Sequence, residues 1–374
     1  MSDEISTFLG SRIDAGDFPS AVYLVAEKGE IVLHEALGYA VVDPERIEAR
    51  LDTIYDLASL TKVLVTGLLC AKLFGRKRLF EQGWAIDHES STSPKSGVWG
   101  GPPIQLLSHQ SRLPAWKPFY LLANTRDEVL TEIVGAPIDP NSPEVVYSDL
   151  NFLLLTFLVE RFTGDRIDEV AIREVIAPLR LVDTSFNPSD TLLGRIAASE
   201  KGNEYERQMC NDLGYLDAKN PVATDVFRTE TIWGEVHDGN AYFMGGVAGH
   251  AGLFSTAEEV FKLAQQFLPN YTTLLKPETC ELFRTNYTVG MNEHRSFAFQ
   301  LASTPDSTAG TAMSPQSFGH NGFTGTSLWI DPVKERIFVL LTNRTHNHGL
   351  PFVNINSVRR RFHDLAIGHL DKNS

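Results

Sequence analysis

The two ends of this 374-residue chain repeat one pattern, and that repetition constrains the fold more than any other feature. Near the start, "AVYLVA" (21–26), a turn at "EKGE" (27–30) and "IVLHEALG" (31–38) read as an antiparallel hairpin. β-Branched and apolar residues there flank a turn that contains Gly29. A short amphipathic helix precedes it in "ISTFLGSRIDAG", stopping at Gly16. The far end has "TSLWID" (326–331), a turn around Pro332 to Glu335, "RIFVLLTN" (336–343), and then "VNINSVRRRFHDLAIGHL" (353–370) at helical spacing. The simplest arrangement places both hairpins in one antiparallel sheet covered by the terminal helices, an α+β layer architecture closed by both ends of the chain.

The middle is mostly helix and loop. "SDLNFLLLTFLVERFTG" (148–164) starts at a capping Ser148 and stops at Gly164, while "STAEEVFKLAQQFL" (255–268) carries a capping box of Ser255 and Glu258. "SSTSPKSGVWGGPP" (90–103) is loop by composition, and there is no internal repeat. At this length about two domains, or one with a large insertion, are expected.

Charge and cysteine content narrow the function. With 47 acidic against 33 basic residues the net charge is −14, which repels phosphate backbones and anionic lipid, so nucleic acid is not an expected partner. Cys70, Cys210 and Cys280 form no CxxC pair and are an odd number, so they read as small buried hydrophobes. The N-terminus has neither a basic run nor an apolar core, and no stretch reaches the roughly 18 apolar residues of a membrane span. A cytoplasmic protein that does not enter membranes is expected.

"YDLASLTKVLVTGLL" (55–69) places Ser59 three residues before Lys62 at the head of an apolar helix. Helical spacing puts the two side by side, with the hydroxyl near the positive end of the helix dipole. An alcohol is a weak nucleophile until a neighbouring group takes its proton, and an amine can assist. Four-residue patterns of this kind recur by chance; two further stretches turn it into a constellation. In "VYSDLNFLLL" (146–155), Tyr147 and Asp149 sit at the mouth of a buried helix, where a phenol can shuttle a proton once a cation lowers its pKa. In "FGHNGFTGTSLWID" (318–331), His320 and Gly322 lead into a strand; the glycine admits a ligand close to the backbone, and an edge strand can offer an N–H to an oxyanion.

In this order and at these separations, SxxK, YxD and HxG resemble the three motifs of the serine β-lactamase and penicillin-binding-protein superfamily, within it the class C β-lactamase and carboxylesterase branch. "FPSAVYLVAEKGE", "IQLLSHQSRLP", "GEVHDGNAYFMGGVAGHAGLFST" and "LWIDPVKERIFVLLTNR" are similar to this branch as well. The resemblance implies a β-lactamase/transpeptidase-like fold, with an α/β sheet domain from residues 1–75 and 285–374, a mainly helical insertion from 76–284, and the site at their interface. It implies that Ser59 is the acylated nucleophile, Lys62 its partner amine and Tyr147 the general base. It further implies an oxyanion hole from the N–H groups of Ser59 and Phe323, with Asp149, His320 and Gly322 on the substrate side. No cofactor is implied.

Two departures bear on substrate. Asp149 stands where class C β-lactamases usually have Asn, and His320 where they have Lys. An ionised Asp only accepts hydrogen bonds, and a neutral His carries no charge for a substrate carboxylate, so recognition of an anionic lactam is expected to weaken. Asp149 is also expected to keep Lys62 protonated, leaving the proton to Tyr147. Arg112 replaces the family's usual Gly in its turn. His109, His237, Asp238 and His250 match no metal-ligand spacing and read as structural; "GGVAGHAG" (245–252) lacks the ending of a phosphate loop, and no G-x-S-x-G elbow occurs. The expectation is a metal-independent serine hydrolase of small esters or amides, foremost a carboxylesterase. D-amino-acid amidase or peptidase activity, β-lactamase activity, or a catalytically silent binding protein remain as alternatives, with oligomeric state open. Loops 76–103 and 200–240 are expected to wall the pocket.

Overall fold

The computed structural model describes residues 4–75, 101–216 and 226–372. The loop reading of 90–103 and the pocket wall expected from 76–103 and 200–240 therefore fall partly outside the described residues. A seven-stranded antiparallel sheet holds the molecule together, in the order β3-β2-β1-β10-β9-β8-β7. β1 (Ser20–Glu27), β2 (Glu30–Val41) and β3 (Ile47–Glu48) come from the start of the chain. β7 (Gln300–Leu301), β8 (Phe318–Asn321), β9 (Ser327–Asp331) and β10 (Arg336–Thr342) come from its end. The two hairpins are thus joined at the centre, where β1 pairs with β10 from Ala21↔Thr342 to Glu27↔Arg336.

Period-two alternation explains why both faces of these strands are apolar. Ala21, Tyr23 and Val25, with Phe338 and Leu340, point to one side and pack on Ile5 and Leu9 of α1 (Glu4–Asp14) and on Phe362, Ala366 and Leu370 of α6 (Asn356–Lys372). Val22, Leu24 and Ala26, with Ile337, Val339 and Leu341, point to the other and join the larger core contributed by the mid-chain helices. That core is built by α2 (Leu68–Leu73), α3 (Asp149–Thr163) and α5 (Ala257–Ala264), whereas α4 (Glu204–Asp212) lies outside it. A smaller sheet of β4 (Tyr55–Asp56), β6 (Leu253–Ser255) and β5 (Ser185–Phe186) runs between the layers. Among the described residues no helix is long and apolar enough to cross a membrane.

Two local readings shift. The cap of α5 is Thr256, whose hydroxyl accepts from Glu259 N, one residue later than the expected Ser255 and Glu258 box. Ser255 instead closes β6, and its hydroxyl meets Thr184 at 2.7 Å. Ser148 does occupy the position before α3, but its hydroxyl donates to Pro114 O at 2.6 Å and leaves the helix end uncapped by a side chain. α3 ends as expected on left-handed Gly164. Cys70, Cys210 and Cys280 are buried, unpaired thiols.

Candidate active site

The nucleophile candidate sits in a turn, ahead of the helix. After β4, Ala58 N–H donates to Asp56 Oδ1 at 2.8 Å and Ala58 takes a left-handed backbone, φ +46°. The N–H groups of Leu60, Thr61 and Lys62 then bond to the carbonyls of Leu57, Ala58 and Ser59, so the chain enters the helix tightly wound. Lys62–Gly67 continues as a π-wound segment before α2, a variant often found at functional sites. Lys62 is fully buried beneath Ser59. Its Nζ donates to Ser59 Oγ and to His250 O, each at 2.9 Å, and forms an ion pair with Asp149 Oδ1 at 2.7 Å. Burial opposes this charge, but Asp149 and then the Tyr147 phenol outweigh it, and the Lys62 pKa is raised.

Tyr147 reaches the same point from the mouth of α3, its phenol near enough to Ser59 and Lys62 for both to act on it and its ring centre 5.3 Å from Lys62 Nζ. The expectation that a cation lowers its pKa is not met. Desolvation of the buried phenol outweighs Lys62, and its pKa is raised.

His109 fixes Tyr147 in place, a role the sequence reading missed. Its carbonyl accepts from Val146 N at 3.0 Å, and its Nδ1 accepts from Ser148 N at 3.1 Å, clamping the residues on either side of the tyrosine. The rings stand 4.7 Å apart. Because Nδ1 accepts, the imidazole is neutral, and burial followed by Arg295 holds its pKa well below the usual value. His320, on β8, has its ring 5.7 Å from that of Tyr147. Its Nδ1 donates to Asn321 O at 2.9 Å, and burial, Arg295 and Lys62 keep it neutral too.

Gly322 is tightly packed. A Cβ there would collide with Thr326 Oγ1 and come within 2.6 Å of Leu57 O, so the chain's own Ser59 turn makes a close approach to it, while Gly322 also lines the compartment beside Ser59. Arg359 Nη2 donates to the carbonyls of Gly322 and Thr326 at 2.8 and 2.9 Å, and Arg344 Nε to Phe323 O at 2.7 Å. These bonds fix the loop that carries Phe323, which lines the site. Neither Ser59 N–H nor Phe323 N–H has a partner among the described residues.

Ser59, Tyr147 and Phe323 line two adjoining compartments. One, about 210 Å3, is walled by Trp116, Tyr205, Met209 and Phe323, with Glu206 and Asp238 at its side. The other, about 330 Å3, is lined by Arg295, Gln300, His320, Asn321, Arg344 and Arg359. Arg295 pairs with Glu293 at 2.7 Å, whereas neither Arg344 nor Arg359 has an acidic partner among the described residues. Burial and then the neighbouring Arg344 lower the Arg359 pKa to about 9. This second compartment is therefore electropositive although His320 is not.

His237 and His250 each face a carboxylate. His237 pairs with Glu200 at 2.8 Å and His250 with Asp238 at 2.9 Å, while His250 O receives Lys62. No group of three or more His, Cys, Asp or Glu side chains among the described residues is placed to hold a metal. Arg112 does take the left-handed backbone that glycine favours, φ +59°. Glu206, Arg295, Arg344 and Arg359 carry no local motif; the only cue in the sequence is Arg344 directly after a buried strand.

The family model described as Beta-lactamase matches residues 5–359. A relative from Escherichia coli (strain K12) named "Putative D-alanyl-D-alanine carboxypeptidase" is 31% identical over 371 residues, covering 92% of this chain and 82% of its own. An "N-acetylmuramyl-L-alanine amidase" of Bacillus subtilis (strain 168) is 30% identical, with 89% and 78% covered. In structure, a class C beta lactamase from Rhodobacter sphaeroides superposes with a TM-score of 0.70 at 16% identity over 99% of both chains. With this match along nearly its whole length, and with a serine hydrolase's fold, the chain belongs to the Beta-lactamase family.

Proposed function

We propose that the protein forms an acyl-enzyme on Ser59 and hydrolyses amides or esters that carry a carboxylate beside the scissile bond, as an amidase or carboxypeptidase does. The observation that supports this most is the electropositive compartment of Arg295, Arg344 and Arg359, which opens directly on Ser59 and Tyr147. Guanidinium groups suit planar carboxylates. They supply the charge that His320 lacks, so the expected weakening of anion recognition no longer follows. The names of two curated relatives, a carboxypeptidase and an amidase, point the same way.

In the proposed reaction, Tyr147 in its minority phenolate form takes the Ser59 proton as Oγ bonds to the carbonyl carbon. The N–H groups of Ser59 and Phe323 receive the negative charge on the carbonyl oxygen. The carbon–nitrogen or carbon–oxygen bond then breaks, and Tyr147 returns the proton to the leaving atom. Water repeats the sequence and frees the acid. Lys62 stays charged throughout, held by Asp149, and its field stabilises whichever oxygen, alkoxide or phenolate, carries the charge.

A carboxylesterase of small neutral esters is the second reading, favoured by the apolar Trp116, Tyr205, Met209 and Phe323 wall. A fluorophosphonate probe is expected to label Ser59, and Ser59→Ala to lose roughly 10⁴-fold in turnover. An N-acetyl-alanyl-alanine with a free carboxylate is expected to exceed its C-terminal amide at least tenfold in kcat/KM. Equal rates on both, with faster cleavage of a short nitrophenyl ester, would favour the esterase; labelling away from Ser59 would end both readings.

A further inference from the structure

Of the carboxylates around the apolar compartment, Glu206 alone lacks a lysine or histidine side chain paired with it among the described residues. Asp149 faces Lys62, Asp238 faces His250, and Glu200 behind the wall faces His237. Glu206 is 5% exposed and accepts only Gly239 N–H, at 2.8 Å on Oε1. Its other oxygen, Oε2, is buried and holds no hydrogen bond among the described residues, although the Tyr120 phenol lies near enough to act on it electrostatically. A buried carboxylate oxygen without a donor costs several kcal/mol by general estimates, and such groups persist where a ligand completes them.

The surroundings favour a cation as that ligand. Among the described residues no lysine or arginine lines this compartment; its titratable groups besides Tyr147 and Tyr205 are Asp149, Glu206, His237 and Asp238. Burial, then Asp238, push Glu206 up to about 7, the behaviour of a carboxylate short of positive charge. The compartment shares Ser59, Tyr147 and Phe323 with the arginine-lined one, so the two charged poles belong to compartments that meet at Ser59.

We infer that Glu206 is a specificity residue that receives a protonated amine of the substrate, so that the preferred substrate carries a free ammonium on one side of the scissile bond and a carboxylate on the other. This rests on the acyl-enzyme reading above and names its substrate class: short peptides or amino-acid amides with an unblocked amine. The bonds made and broken are those already given for Ser59, and no co-reactant beyond water is needed. Glu206 touches the substrate's charge and not the reacting atoms.

The test compares alanyl-alanine with N-acetyl-alanyl-alanine, each as the D,D and L,L forms, on the wild-type protein and on Glu206→Gln. The Gln variant keeps the acceptor for Gly239 N–H. The free-amine dipeptide is expected to exceed the acetylated one at least tenfold in kcat/KM, and Glu206→Gln to shrink that ratio to within about twofold. In a second measurement that needs no variant, butylamine is expected to inhibit the wild-type protein competitively at concentrations at least tenfold below those at which butanol does. A preference for the acetylated peptide, an unchanged ratio in Glu206→Gln, or equal inhibition by amine and alcohol would overturn the inference while leaving the acyl-enzyme intact. If fluorophosphonate leaves Ser59 unlabelled and neither peptide is cleaved, the underlying reading fails and this one with it.

Discussion

At the scale of single residues, the site keeps the protonation states that reference pKa values give, in spite of burial. Lys62 is a fully buried cation and Tyr147 a buried neutral phenol, both with raised pKa values. The basic form of the tyrosine is thus a minority at neutral pH, and its share grows tenfold per pH unit until the phenol titrates. A pH profile of kcat/KM should therefore climb steadily through the alkaline range, and Tyr147→Phe should lose about 10²–10⁴-fold at every pH. Asp149→Asn removes a charge that raises both pKa values, so the rising limb should move to lower pH. Thermal unfolding of that variant should show a loss of about 2–3 kcal/mol, since Lys62 is left buried and unpaired. A rising limb that stays in place would mean that Asp149 does not set the charge of the pair. Ser59, Lys62 and Tyr147 were legible in the sequence because each sits in a short motif. Glu206, His109 and Arg359 were not, because their roles arise only when segments remote in sequence meet.

At the scale of elements, alternation made the strands legible: every position of β10 is buried, and its odd and even residues serve different cores. The cap of α5 was misplaced by one residue because Ser255 and Thr256 are chemically equivalent caps, and strand pairing took the serine. Nothing in Lys62–Gly67 announces π winding. The contact between the β8–β9 loop and the Ser59 turn is the joint on which the site depends. Gly322→Ala would drive a methyl group into Thr326 and Leu57, and a loss of about 2 kcal/mol in denaturant unfolding is expected. Acylation should slow at least tenfold as the N–H groups of Ser59 and Phe323 move apart. Wild-type acylation rates in that variant would show that the loop is more yielding than its packing implies.

At the scale of the whole molecule, several histidines are buried in neutral form: His109, His320, His346 and His363 all have lowered pKa values. For His363 burial brings the value to about 3. Between about 6.5 and 3 the unfolded chain binds this proton and the folded one does not, so stability falls as pH falls, by about 1.4 kcal/mol per unit for this group. Glu206, raised to about 7, works in the opposite direction over the upper part of that range. His363→Gln, which can keep a donor to Thr308 O, should flatten the acid limb of a stability–pH curve by one proton. An unchanged slope would show that His363 gains its proton without unfolding.

The pairing of β1 with β10 has a consequence for biosynthesis. Ser20 and Asn343, which hydrogen-bond at the end of that pairing, are 323 residues apart. At roughly 5–20 residues per second, the first hairpin leaves the ribosome some tens of seconds before the strand that must lie beside it exists. During that interval an apolar strand edge is open to any other chain, which makes shielding of the nascent polypeptide a requirement of this topology.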